Sequence, residues 1–181
     1  MGQTMKTTSS KTTTRSKKRK ELKDPFACFK QATAETFNFL VDDYGFEPVS
    51  TIVHAPECEI KYWNKTTGVT VTYEWGGVIW VDLSRLKRAS AEAVENERYS
   101  LDILMLECCP DRGVKELQPS EEESSNQYVE RVLPTYAKVL KKCGSDVLAG
   151  DFRIFPRLKK HAEEVLRQRN KELFGTETGT F

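Results

Sequence analysis

Histidine is scarce in this chain: His54 and His161 are the only two in 181 residues. Little imidazole is therefore on hand for acid–base chemistry. The chain also lacks the nucleophile elbow G-x-S-x-G, the phosphate loop, the dinucleotide fingerprint G-x-G-x-x-G and the zinc motif H-E-x-x-H. No apolar run approaches the roughly 18 residues of a membrane span. The N-terminus has no apolar core of a secretory leader. Cysteine is present but unpatterned. Cys28, Cys58, Cys108, Cys109 and Cys143 are odd in number and contain no C-x-x-C spacing. Neighbours Cys108 and Cys109 cannot bridge each other without backbone strain. His54 and Cys58 stand four apart, with Pro56 between them. These absences lead us to expect free thiols in a reducing cytoplasm, no metal, no cofactor, no membrane span and no catalytic set.

Acid is absent from residues 1–20, which hold seven of the 28 basic residues: Lys6, Lys11, Arg15, Lys17, Lys18, Arg19 and Lys20. The rest of the chain keeps 21 basic against 27 acidic residues, so a body of net −6 lies behind a formal charge of +1. Residues 1–23 are rich in Thr, Ser and Lys, with Met5 and Leu22 the only large apolar side chains after Met1. Such a segment buries too little to offset its ordering entropy, and a disordered basic arm is expected. Gly2 fits a myristoylation start, but Lys6 stands where that motif needs Ser or Thr. The run Lys17-Lys18-Arg19-Lys20 reads as a solvated tail, a nucleic-acid contact, or a nuclear or membrane-surface address. A single domain is expected over residues 24–174, with a frayed tail at 175–181.

The clearest pattern runs from Cys58 to Leu83. Cys58, Ile60 and Tyr62 alternate with Glu57, Glu59 and Lys61. Val69, Val71, Tyr73 and Trp75 alternate with Thr70, Thr72 and Glu74. The third run, Val78 to Leu83, is apolar on both faces until Asp82, which predicts a strand that is central or covered on both sides. Asn64 to Gly68 suits a hairpin loop, and Gly76-Gly77 a turn needing positive φ. A weaker strand, Phe46 to Ala55, pairs with the first through a bend at Pro56. The fold class is α+β: an antiparallel three- to four-stranded meander packed against an N-terminal helix and C-terminal helices.

Asp24-Pro25 opens the first helix, which carries Phe26, Phe29, Phe37, Leu40, Val41 and Tyr44 as core and ends at Gly45. Residues 83–100 read as a long connection or a partly helical flap. Ser100 caps a short helix over Leu101–Cys108. Glu121, Glu122 and Glu123 read as a solvated helix start, since three consecutive side chains diverge. A helix over Asn126–Cys143 follows, with Pro134 inside it and Gly144 closing it. Asp151 starts a basic last helix in which Phe152, Phe155, Leu158, Val165, Leu166 and Leu173 recur at helical spacing. Asp82 and Asp151 are the distant carboxylates that could meet, although an N-cap role for Asp151 is the stronger account.

FNFLVDDYGF, the strand meander, YSLDILM and LKKCGSDVLAGDF together resemble a loosely defined group of small bacterial proteins. In that group an F-x-F-L-x-x-x-Y-G-F helix, an antiparallel sheet and a C-terminal Y-A-x-x-L…V-L-x-G-D-F helical pair recur. Phe37, Leu40, Tyr44, Gly45 and Phe46 carry the first pattern. Tyr136, Ala137, Leu140, Gly144, Val147, Leu148, Gly150, Asp151, Phe152, Phe155 and Leu158 carry the last. The resemblance covers most of the predicted domain and rests on caps, turns and core positions. Similar small proteins are found among immunity proteins of bacterial toxin systems, so it implies a non-enzymatic, protein-binding role against a partner such as a basic toxin.

The candidate partner contacts are Asp42 and Asp43, at a helix end where the dipole disfavours negative charge, and Trp63, which falls out of the inward register of its strand. The alternative is a nucleic-acid-associated protein using Lys17, Lys18, Arg19 and Lys20 against phosphates.

Overall fold

The alternating runs form one antiparallel sheet in the computed structural model, which describes residues 24–54, 56–74, 77–87, 93–108 and 117–175. The basic arm with Lys17 to Lys20, Trp75 and Gly76, and the tail past Gly175 lie outside these residues. The strands are β1 (Glu47–His54), β2 (Glu57–Trp63), β3 (Thr67–Glu74), β4 (Ile79–Leu86) and β5 (Ala93–Ser100). They lie side by side in sequence order, each antiparallel to the next. The sheet thus has one strand more than the upper expectation. The extra one, β5, occupies the stretch read as a connection or flap. Its polar sequence hides it, because pairing to β4 supplies what its own pattern does not.

Asn64 shapes the turn from β2 to β3. Its Oδ1 accepts from the Thr66 N–H at 3.0 Å and the Thr67 N–H at 2.8 Å, an Asx arrangement that reverses the chain. Its amide donates to the Leu148 carbonyl at 3.1 Å, and the Thr67 hydroxyl donates to the Val147 carbonyl at 2.9 Å. The hairpin is thereby tied to a short helix 80 residues away in sequence. At the other turn, Gly77 donates its N–H to the Glu74 carbonyl at 2.8 Å. Its φ is not positive, and Gly76, the other residue of the expected turn, lies outside the described residues.

Among the described residues six α-helices accompany the sheet: α1 (Ala27–Thr36), α2 (Asn38–Tyr44), α3 (Leu101–Cys108), α4 (Ser125–Cys143), α5 (Ser145–Leu148) and α6 (Phe155–Phe174). The single N-terminal helix expected from the aromatic spacing is two, divided at Phe37. Phe37 is fully buried, and its ring centroid lies 6.4 Å from that of Tyr62 on β2. Gly45 ends α2 in the left-handed conformation at φ 64°, and the Phe46 N–H returns to the Leu40 carbonyl at 3.0 Å, as expected of a glycine stop. Ser124 caps α4 reciprocally with Gln127. The last helix begins at Phe155 rather than Asp151. Asp151 instead caps a turn by accepting from the Arg153 N–H at 3.0 Å.

The core lies on one side of the sheet. Cys58, Ile60 and Tyr62, then Val69, Val71 and Tyr73, then Ile79, Val81 and Leu83 meet Phe29, Leu40, Leu104, Val132 and Leu140 from the helices. In this layer α4 packs on β4, α3 on β4 and β5, α6 on β5, and α2 on β1. β3, not β4, is the strand buried on both faces. Thr70 and Thr72 are buried along with Val69, Val71 and Tyr73, whereas β4 alternates from Ile79 to Leu83. Position explains the difference. In the middle of the sheet, Thr70 stands between Lys61 and Asp82, and Thr72 between Glu59 and Trp80. The longer cross-strand neighbours shade the two short side chains.

Candidate functional site

Register places a second set of side chains on the face away from the helices. Ile52, Glu59, Thr72 and Trp80 form one row across the strands. Ser50, Lys61, Thr70, Asp82 and Ser100 form the next. Glu47, Trp63, Gly68, Ser84 and Arg98 form a third, and His54, Glu57 and Glu74 a fourth. None of these residues belongs to the buried hydrophobic cluster. This face, called open because among the described residues no member of that cluster lies on it, is the candidate site.

Its two tryptophans, Trp63 and Trp80, are half-buried. Trp63 lies over Gly68: a Cβ at Gly68 would meet Trp63 Cδ1 at 3.3 Å and Ser84 Oγ at 2.6 Å. Glycine there is a steric requirement of the indole and of Ser84, not a turn signal. Thr72 is 1% exposed, and its hydroxyl has no hydrogen-bond partner. Charge on the face is uneven. Lys61 pairs with Glu59 at 2.8 Å, and Arg98 with Asp82 at 2.6 Å. Glu47, Glu57 and Glu74 stand outside both pairs, so carboxylates outnumber cations.

The other residues singled out from the sequence fall elsewhere. Asp42 and Asp43 are exposed on α2, where the Asn38 amide donates to Asp42. That helix packs on the helical side through the buried Phe39 and Leu40, whereas Trp63 belongs to the other face of the sheet. Asp82 and Asp151 each hold an arginine of their own, Arg98 and Arg153. Glu123 does lie just before a helix, and there it binds Arg131 at 2.7 Å, which holds its carboxyl below the usual range. Trp80 was missed. Val78 to Leu83 looks apolar on both faces, yet Ile79, Val81 and Leu83 already alternate with Trp80 and Asp82, and that period was the available signal.

Two further clusters lie on the helices. Between α3 and α6, Glu107 accepts from His161 Nε2 at 2.6 Å and from Arg157 Nη1 at 3.0 Å. This ties the start of α6 to the body. On the outer side of α4, Lys138, Lys141, Lys142, Pro134, Ala137 and Thr36 line a shallow groove of about 620 Å³. There the Lys141 ammonium stands 4.3 Å from the centre of the Phe39 ring. Among the described residues, no group of three or more His, Cys, Asp or Glu is placed to hold a metal ion. No described helix is long and apolar enough to cross a membrane.

A buried polar cluster joins the helices to β4. The Tyr128 hydroxyl accepts from the Ile79 N–H and donates to the Leu117 carbonyl, both at 3.0 Å. The Tyr136 hydroxyl lies 3.1 Å from both the Ile79 carbonyl and Asp102 Oδ1. Burial pushes the Asp102 carboxyl above its usual range; the Tyr136 hydrogen bond opposes this and the Asp82 carboxylate adds to it. Burial likewise raises both tyrosines. These groups satisfy the first residue of β4 and hold the layers in register.

No family model, curated protein or solved structure matches this chain.

Proposed function

We propose that this chain is a non-enzymatic protein-binding module that receives a basic partner protein on the open face of its sheet. Its role is that of the immunity proteins of bacterial toxin systems. One observation carries the reading: two half-buried tryptophans flank the buried threonines of β3 in a field where carboxylates outnumber cations. Indole rings are rigid, amphipathic anchors that gain affinity on full desolvation. The surplus acid steers a cationic surface toward them and disfavours acidic competitors. An antiparallel sheet with one face on the core leaves the other available without unfolding anything.

The experiment is site-directed photo-cross-linking from Ile52 and Glu74, at two edges of the open face, in the source cell. Mass spectrometry identifies the adduct, and the partner is then purified. A basic partner should bind the wild-type chain, and Trp63→Ala with Trp80→Ala should weaken that binding by about 100-fold, near 3 kcal/mol. Expressed alone, the partner should arrest growth, and co-expression of this chain should relieve the arrest. An acidic partner, or one indifferent to both tryptophans, defeats the reading. A partner that binds as expected without arresting growth retains the module and removes the immunity role.

A further inference from the structure

Two helices carry a stripe of side chains outward. On α6, Val165, Leu166 and Leu173, expected from their spacing to face the core, are 43%, 58% and 64% exposed. The stripe on α4 is of another kind, because it joins apolar surface to charge of one sign. Pro134, Ala137, Lys138, Lys141 and Lys142 stand at i, i+3, i+4, i+7 and i+8, which at about 100° per residue is one side of the helix. Together with Thr36 of α1, which packs against α4, they line the groove of about 620 Å³. Pro134 and Ala137 supply its apolar part. The three lysines are exposed, and among the described residues no carboxylate lines the groove and none of the three belongs to an ion pair. Lys141 instead stands against the Phe39 ring at 4.3 Å, and a ring holds an ammonium without neutralising it. Lys141 and Lys142 also offset the dipole in the last turn of α4. Lys138 lies a turn earlier, and lysines three and four apart on one helix side repel each other.

We propose that the groove between α1 and α4 binds an amphipathic organic anion, a small molecule with an apolar body and one anionic head. Charge complementarity selects the occupant. Three cations free of carboxylate partners, crowded within about one turn, attract an anion and reject a cation. The apolar surface of Pro134 and Ala137 gives the body of the ligand a place to leave water. The volume lies in the range of small-molecule sites. An ammonium is a point charge on a flexible stem, without the fork of a guanidinium, so carboxylate, sulfonate and phosphate heads are accepted alike. The chain behind the basic arm carries a net −6, which opposes anions at long range, and the lysines act only over roughly a Debye length, about 8 Å in physiological salt. The head alone is therefore held poorly, and apolar contact is required as well. The site uses neither Trp63 nor Trp80 and stands whether or not the open face binds a partner.

NMR titration of the full chain with 2-naphthalenesulfonate tests this, with methanesulfonate as the head alone and 2-naphthol as the body alone. The naphthalenesulfonate should saturate by millimolar concentration, with amide shifts centred on the facing stretches of α1 and α4 around Thr36 and Lys138. Each half-molecule should bind about tenfold more weakly or worse. Lys138→Ala with Lys142→Ala should weaken the whole ligand by about tenfold. Thr36→Trp, which fills the groove from its half-exposed rim, should abolish binding, with the far-UV helical signal kept as the control for folding. Lys159→Ala with Lys160→Ala removes the same charge from exposed positions on α6 and should change affinity by no more than about twofold. A titration that does not saturate overturns the proposal, as do shifts centred elsewhere. Equal losses from the two lysine pairs overturn it too, because the charge then acts without a site. A head or a body that binds as tightly as the whole molecule also overturns it.

Discussion

One sheet presents two faces built by the same alternation, and they differ in what stands against them. On the helical face, Val69, Val71 and Tyr73 meet aromatic and aliphatic side chains from α1, α3 and α4. On the open face, Thr70 and Thr72 of the same strand are equally sheltered, but by the Lys61, Glu59, Trp80 and Asp82 side chains of their own sheet. Burial is therefore a poor guide to role in β3. The helical face is buried by tertiary packing. The open face is buried by neighbours that are themselves partly exposed.

The strongest way to break the comparison is a charge at its centre. Val71→Asp should abolish the cooperative unfolding transition, since an unpaired carboxylate in this 0%-exposed position costs several kcal/mol, roughly the stability of a small domain. Trp80→Ala on the other face should cost no more than about 1 kcal/mol. Chemical denaturation of the two variants checks this. If they lose stability equally, the open face is a second core and not a docking surface.

A smaller effect is expected where the helical face holds its polar cluster. Tyr136→Phe strands the Ile79 carbonyl and Asp102, at a cost of about 1–3 kcal/mol. Asp102 makes the same cluster sensitive to pH. Its carboxyl is raised in the folded chain, so its stabilising contribution is full below the unfolded pKa and is lost as pH rises through the folded one. Asp102→Asn removes that titration. The variant should therefore gain on the wild type as pH rises from acid to neutral, and a stability difference that stays flat over that range would show that Asp102 titrates normally. The carboxylates lowered by lysine or arginine partners, Asp24, Glu123 and Asp151, act in the opposite sense in both chains and cancel in the difference.

Much of this contrast was legible in the sequence, for identifiable reasons. Strict alternation in residues 58–62 and 69–73 fixed which side chains face the helices, and Gly45 and Gly175 marked helix ends by the left-handed conformation they adopt. Trp63 could be placed on the outer face by parity alone. β5 could not be read, because a strand on the sheet border carries no alternation that pairing does not impose. Phe37 looked like one more residue of a continuous stripe, and only its contact with Tyr62 accounts for the break between α1 and α2. The distal leucines of α6 match core spacing perfectly well; periodicity reports a face, and the length of the supporting body decides whether anything lies under it.

The smallest expected effect sharpens the comparison most. Among the described residues, two buried hydroxyls have no hydrogen-bond partner: Thr72 on the open face and Thr33 on α1, inside the helical layer. Both are 1% exposed or less. Valine has nearly the same shape without the hydroxyl, so replacing an unsatisfied buried threonine should be neutral to stabilising, by up to about 1 kcal/mol. For a chain of this length that is a rise in Tm of about 2–4 °C. Both residues are β-branched, so the backbone preference barely changes in strand or helix. Thermal unfolding of Thr33→Val and Thr72→Val compares the two faces with one chemistry. Equal gains mean that both hydroxyls are orphans of packing. A gain at Thr33 with a loss at Thr72 means that the open-face hydroxyl is satisfied in solution by a group the helical face excludes, which is water or a partner reaching β3 between Glu59 and Trp80.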